Sequence, residues 1–438
     1  MHFSFFKILT LLYFCTAFIA NTQAQSLYFP PLTGNQWDTL SLASQGWCPE
    51  KVDSLYTFLE NRNTKAFILL VDGKIVLERY FGSHSANSLW YWASAGKTLT
   101  AFLVGLAQED QFLNISDTTS QYLGAGWTSC PPQDELKITI RHQLSMSSGL
   151  SDLVPDPFCT LDSCLTCLAN PGMRWAYHNA PYTLLDGVME SATGTTLNQY
   201  ANQRLKNPTG MTGFFLQVGY NNVYWSNARS MARFGLLMLG DGKWNGQSIM
   251  ADTAYFNDMV NTSQSMNESY GYLWWLNGKN SFMLPESQLV FNGWLFPAAP
   301  ADMYAAMGAD GQFLNVVPSK NMVWLRMGES PDSTAVPFLL NNEIWQYINV
   351  LGCNSTVAES EEWEVQLFPN PARGRVELKS ESAEVKVVVR NTLGKEVMRI
   401  DVFAHAHHWE VSDWSAGVYT VELTQANGSR THQCLVVE

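Results

Sequence analysis

The sequence carries no excess of basic residues: 26 Lys and Arg stand against 39 Asp and Glu in 438 residues, a formal net charge of −13. No basic cluster is present that would neutralise a row of phosphates, which argues against a nucleic-acid partner. The acidity reads instead as a soluble surface. After the first 24 residues there is no long uninterrupted apolar run, so no permanent membrane span is expected and the mature chain should be soluble. Gly-x-Ser-x-Gly is also missing, and with it the nucleophile elbow of an α/β-hydrolase. Tandem repeats and long low-complexity stretches are absent as well.

What is present is apolar and aromatic. At 46% hydrophobic and 13% aromatic, the chain can bury a substantial core in more than one domain. Lys7 precedes an apolar run from Ile8 to Ala20, followed by Thr22-Gln23-Ala24, which predicts a signal peptide over 1–24. The alternative is a retained anchor, for which the run is short. Of eight cysteines, Cys15 would leave with the leader, and export lets disulfides persist among Cys48, Cys130, Cys159, Cys164, Cys167, Cys353 and Cys434. That odd number leaves at least one thiol unpaired. Cys164 and Cys167 have C-x-x-C spacing, but no second pair or suitably placed His completes a zinc site, so a loop staple involving Cys159, Cys164 or Cys167 is favoured.

Pattern then orders the chain. Ala66–Val71 and Lys74–Phe81 are β-rich runs joined at Asp72-Gly73, a hairpin signal. From Lys97 the sequence is apolar nearly all round, as a buried helix requires. Ala228–Leu239 reads as a second helix, and Tyr270–Leu276 and Gln312–Met327 read as strands. Strands flanking a helical middle predict an α+β, three-layer domain over 25–353. Residues 354–364 are an acidic linker, and short β-rich runs over 365–438, among them Val385–Val389 and Val418–Leu423, predict a small all-β sandwich.

The chemistry begins at Ser94 and Lys97. Residues i and i+3 share a helix face, so the amine can reach the hydroxyl and take its proton. Ser4 and Lys7 repeat the spacing inside the predicted leader, so context must select. A hydroxyl at the mouth of a buried helix gains from free backbone N–H groups and the positive end of the macrodipole. Tyr177 can carry a proton to the leaving group and Asn179 can orient the substrate or Lys97, within Pro171-Gly172-x-x-Trp175-x-Tyr177-x-Asn179-x-x-Tyr182. Each also has a plain reading: Ser94 as a cap, Tyr177 as a buried phenol, Asn179 as a turn residue.

With Ile138-Thr139-Ile140-Arg141-His142-Gln143-Leu144-Ser145-Met146-Ser147-Ser148-Gly149-Leu150, these motifs resemble the serine β-lactamase and penicillin-binding-protein superfamily, in its class C β-lactamase, esterase and nylon-oligomer hydrolase branch. The resemblance spans most of Ala66 to Asn349. It implies an antiparallel sheet flanked by helices plus a helical subdomain, with Ser94 as acyl-forming nucleophile, Lys97 as base, Tyr177 as second proton carrier and Asn179 as orienting amide. No cofactor is implied. The family's third motif carries Lys or His first; here the stretch is Ala306-Met307-Gly308-Ala309-Asp310-Gly311-Gln312, without a cation. That cation binds a substrate carboxylate, so its loss shifts the expectation from β-lactams and D-alanyl peptides towards other esters or amides. Gly308 permits close approach, and the N–H of Ala309 would pair with that of Ser94 as an oxyanion hole.

In this fold the first and last helices pack side by side, which makes a Cys48–Cys353 disulfide plausible. Pocket walls are expected from Tyr182, the Trp294–Pro300 loop and the Cys159–Cys167 region; the aromatic run Tyr270 to Trp275 reads as core, and His178 is expected to point away. Beyond the linker, Leu367-Phe368-Pro369-Asn370-Pro371, Asn391-Thr-Leu-Gly394-Lys395 and Ser415-Ala-Gly417-Val-Tyr419 resemble a type IX secretion sorting domain. This implies secretion or surface display, with the type IX machinery as partner and a small-molecule or peptide-like substrate. Two other classes compete: zinc chemistry at His405-Ala406-His407-His408, which lacks further ligands at suitable spacing, and a non-catalytic binding module on the same fold.

Overall fold

The computed structural model describes residues 27–353 apart from 332, 333 and 335, and 365–438 apart from 381, 383, 392–394 and 426–429. The expected signal peptide and acidic linker lie outside the described residues. Helix α1, Pro49–Asn61, starts on a proline that needs no amide partner there. Strands β1 (Thr64–Val71) and β2 (Lys74–Tyr80) form the hairpin expected at Asp72-Gly73. Helix α2 (Lys97–Glu109) is buried at every position from Lys97 to Ala107, as its unbroken apolar sequence demands. Helix α3 occupies Ala228–Leu239, capped by Asn227 accepting from the Ser230 N–H.

The second half of the sheet comes from β3 (Trp275–Leu276), β4 (Tyr304–Gly308), β5 (Gln312–Val317) and β6 (Met322–Gly328). The order is β2-β1-β6-β5-β4-β3, with every neighbour antiparallel. Consecutive residues of β6 face opposite sides. On one side a Cβ placed on Gly235 of α3 would come within 2.5 Å of Val323, so glycine lets that helix lie close to the sheet. On the other, the Trp324 ring lies 5.8 Å from that of Trp345 in helix α4, Phe338–Asn349. Helices thus cover both faces, and the α+β three-layer expectation holds.

Two expectations need correction. Tyr270–Leu276 is not one strand: Leu273 takes a positive φ of 61°, the chain turns so that Tyr270 bridges back to Trp275, and only Trp275–Leu276 joins the sheet. The alternating aromatic residues imitate a strand, but Tyr270, Tyr272, Trp274 and Trp275 are all buried, so their spacing reflects core packing. Gln312–Met327 is two strands, separated by a turn at Pro318–Lys320.

The tail has its own core, with Val376, Leu378, Val387, Val389, Val421 and Leu423 buried together. Val365–Phe368, Arg375–Ser380 and Ala406–Glu410 form one sheet, and Val385–Asn391, Glu396–Val402, Gly417–Gln425 and Arg430–Val437 lie in the other, as a small sandwich requires. Disulfides join Cys48 to Cys353, Cys130 to Cys167 and Cys159 to Cys164, leaving Cys434 as the free thiol among the described residues. Among the described residues no helix is long and apolar enough to cross a membrane.

Candidate active site

Ser94 lies in a 3-10 turn, Ala93–Gly96, that runs directly into α2. The turn is anchored from below by Trp92, which is fully buried, donates its backbone N–H to the Tyr224 carbonyl at 2.8 Å and donates its indole N–H to Ser226 Oγ at 2.8 Å. Ala93 has a φ of 46°, a left-handed conformation that a β-carbon disfavours and that surrounding packing must hold. The result presents Ser94 at the helix mouth.

Lys97 closes the arrangement. Its amine donates to Ser94 Oγ at 2.8 Å and to Asn179 Oδ1 at 2.7 Å. The side chain is only 3% exposed, and burial pushes the amine down to about 7, so much of it is neutral at neutral pH. Two rings flank it, with Nζ 5.1 Å from the centre of Tyr177 and 4.5 Å from that of Tyr182. The Tyr177 hydroxyl shares a hydrogen bond with Ser94; burial holds it well above the usual phenol range, and the Ser94 bond partly offsets this. Its ring stacks on Trp275 at 5.6 Å.

Asn179 opens the short helix Asn179–Thr183. The Thr-Ile-Arg-His stretch braces that helix: Thr139 caps Ile140–Leu144, and the buried Gln143 amide donates to Pro181 O at 2.7 Å. Ser94, Lys97, Tyr177 and Asn179 therefore converge as the sequence pattern anticipates. His178 is buried between Tyr177 and Asn179, near Asp152 and Arg174; neither ring nitrogen has a partner among the described residues, and burial pushes it down to about 4.

Gly308 ends β4 against the Ser94 turn. A Cβ there would meet Trp92 O at 2.5 Å, Ala95 N at 2.9 Å and Ser94 N at 3.1 Å, so only glycine allows this approach. Ala309 opens the next turn, which Arg326 holds from behind. The Arg326 guanidinium is fully buried and donates to the carbonyls of Asp310 at 2.9 Å and Gly311 at 2.7 Å, as well as to Thr64 Oγ1 and the carbonyls of Arg62 and Glu329. Burial pushes it down to about 9. This arginine, and the Tyr91 hydroxyl donating to Asp310 Oδ2 at 2.6 Å, were not legible in the motifs. With all its donors committed, Arg326 does not replace the cation missing at Ala306. In the tail, among the described residues, no three His, Cys, Asp or Glu side chains gather as a metal site.

Residues 59–337 match the model of the Beta-lactamase family, and residues 366–438 match the secretion system C-terminal sorting domain. Penicillin-binding protein 4* of Bacillus subtilis (strain 168) is 29% identical over 141 residues, 28% of this chain; the chain spans 30% of that relative's length. The fold is similar to that of a putative 6-aminohexanoate-dimer hydrolase from Bacillus anthracis, with a TM-score of 0.56 and 18% identity over 74% of this chain and 89% of that one. It is also similar to a penicillin-binding protein homologue from Caulobacter crescentus, with a TM-score of 0.52 and 13% identity over 69% and 98%.

Proposed function

Because the chain belongs to the Beta-lactamase family of serine hydrolases and ends in a sorting domain that marks it for the cell surface or secretion, we propose that it cleaves an ester or amide bond through an acyl-enzyme on Ser94. The proposal takes 1–24 as leader, 25–353 as hydrolase, 354–364 as linker and 365–438 as sorting domain. Lys97 in its neutral form removes the Ser94 proton as Oγ attacks the substrate carbonyl. The resulting oxyanion is held by the N–H groups of Ser94 and Ala309. Tyr177 delivers a proton to the leaving alcohol or amine, and the acyl bond to Ser94 forms as the old bond breaks. Water then attacks the acyl-enzyme and releases the acid, with Oγ recovering its proton. Asn179 keeps Lys97 aimed at Ser94.

The observation that carries this reading is the buried Lys97 amine bonded to both Ser94 and Asn179. The missing cation at Ala306 favours substrates without a carboxylate beside the scissile bond. A panel of p-nitrophenyl esters, short amide oligomers, a chromogenic cephalosporin and D-alanyl peptides, run on wild type and Ser94→Ala, tests it. Ester or amide turnover should fall at least about 1,000-fold in the variant, and fluorophosphonate labelling should vanish. Preferential turnover of the cephalosporin or the D-alanyl peptide would replace the substrate class and keep Ser94. Neither turnover nor labelling in wild type would leave a binding module.

A further inference from the structure

Leu153 and Met173 are 76% and 73% exposed, unusual for large apolar side chains. They are the chain neighbours of Asp152 and Arg174, whose ion pair spans 2.8 Å with side chains only 13% and 14% exposed. That largely buried pair fixes two hydrophobic groups at the surface, and the same pair faces His178, between Tyr177 and Asn179. A third group, Phe158, is 41% exposed and follows Pro157, whose carbonyl accepts from the N–H of Ala180 at 3.2 Å. Ala180 directly follows Asn179. The segment is stiff, since the Cys130–Cys167 and Cys159–Cys164 disulfides and the Leu150–Cys167 bridge staple it.

The charges point the same way. The Lys97 amine is only partly charged near pH 7 and is engaged by Ser94 and Asn179, Arg326 is turned into backbone carbonyls, and Asp310 is occupied by Tyr91. No fixed cation of this set is left to attract an anionic acyl group. The geometry points to Leu153, Phe158 and Met173 as a subsite for an apolar acyl chain, making the substrate a neutral ester or amide of a medium-length aliphatic acid. This rests on the reading of Ser94 as nucleophile. The carbonyl lies at Ser94 and the hydrocarbon crosses the rim, where each methylene withdrawn from water raises kcat/KM by up to about fourfold.

The test is a p-nitrophenyl series from acetate to octanoate, with monomeric substrate and one leaving group throughout, run on the full chain. Wild type should favour octanoate over acetate by about tenfold or more in kcat/KM. In Leu153→Ser/Met173→Ser that ratio should fall to about one, while the conservative Leu153→Met/Met173→Leu pair should restore it. A flat or falling series in a wild type that still labels at Ser94 overturns the subsite and leaves the hydrolase reading standing. An unchanged ratio in the serine pair likewise overturns it. Absence of both labelling and turnover removes the hydrolase reading and the subsite with it.

Discussion

A lysine amine held between two tyrosine rings, with no carboxylate hydrogen-bonded to it among the described residues, is the residue on which the proposed chemistry turns. Its proton must be gone before it can take one from Ser94. Below about 7 Lys97 is charged, so acylation should fall about tenfold per pH unit on the acid side, with kcat/KM showing an apparent pKa near 7. Single-turnover acylation across pH 5–9 checks this; a flat profile would remove Lys97 as base. Asp186 helps by staying uncharged behind Tyr182: burial pushes its carboxyl up to about 8, against a hydrogen bond with Asn222. A raised carboxyl binds its proton more tightly in the folded state, so it costs stability increasingly from about pH 4 to about pH 8. Asp186→Asn should therefore raise the melting temperature more at pH 8 than at pH 5, measured by calorimetry. The quartet proposed to be catalytic was legible because its members sit in short motifs. Tyr182 was legible only as a wall, and the Tyr91–Asp310 contact, 219 residues apart, left no local pattern.

At the scale of elements, the meeting of β4 with the Ser94 turn is the tightest constraint. Gly308→Ala would force the β-carbon into Trp92 O and Ala95 N, pushing the strand away from Ser94. Turnover should drop about 100-fold or more, as expected when an oxyanion donor is misplaced. Stopped-flow acylation rates distinguish this from simple unfolding, provided circular dichroism stays native. Elements with one dominant period were readable: α3 and the β1–β2 hairpin fall where hydrophobic spacing and turn residues place them. The stretch around Leu273 misled because burial on all sides erases the alternation that distinguishes a strand from packed coil.

At the scale of the molecule, the main hydrophobic core precedes the segment 354–364 and the tail's core follows it, and Ser94, Lys97, Tyr177, Asn179, Gly308 and Ala309 all precede that segment. A chain ending at Cys353 should retain ester turnover within about twofold, since the tail's core is built from its own residues and the tail joins the preceding domain's strands through Asn292 and Gly417, neither of them a residue of the candidate site; steady-state kinetics on the truncated protein checks this. Ends 305 residues apart are joined by Cys48–Cys353, reinforced by Cys48 N–H to Leu351 O at 2.9 Å and by Phe58 stacked on Tyr347 at 4.4 Å. Cys48→Ser/Cys353→Ser should lower stability by about 2–4 kcal/mol, read by denaturant unfolding. The cysteine count foretold disulfides, the likeness to a known fold suggested this pair, and a loop staple involving Cys159, Cys164 or Cys167 was expected, though the exact partners, Cys159–Cys164 and Cys130–Cys167, emerged only in three dimensions.

That clasp also sets where force travels. Tension applied to the tail passes from Cys353 straight through sulfur to Cys48, so residues 49–352 form a loop that carries no load. Pulling on both ends of the oxidised chain should withhold about 1,000 Å of contour, at about 3.5 Å per residue, and release it only after reduction. A secretion apparatus that drags the protein by its C-terminal domain would tug on a sulfur–sulfur link rather than unzip the sheet behind Ser94.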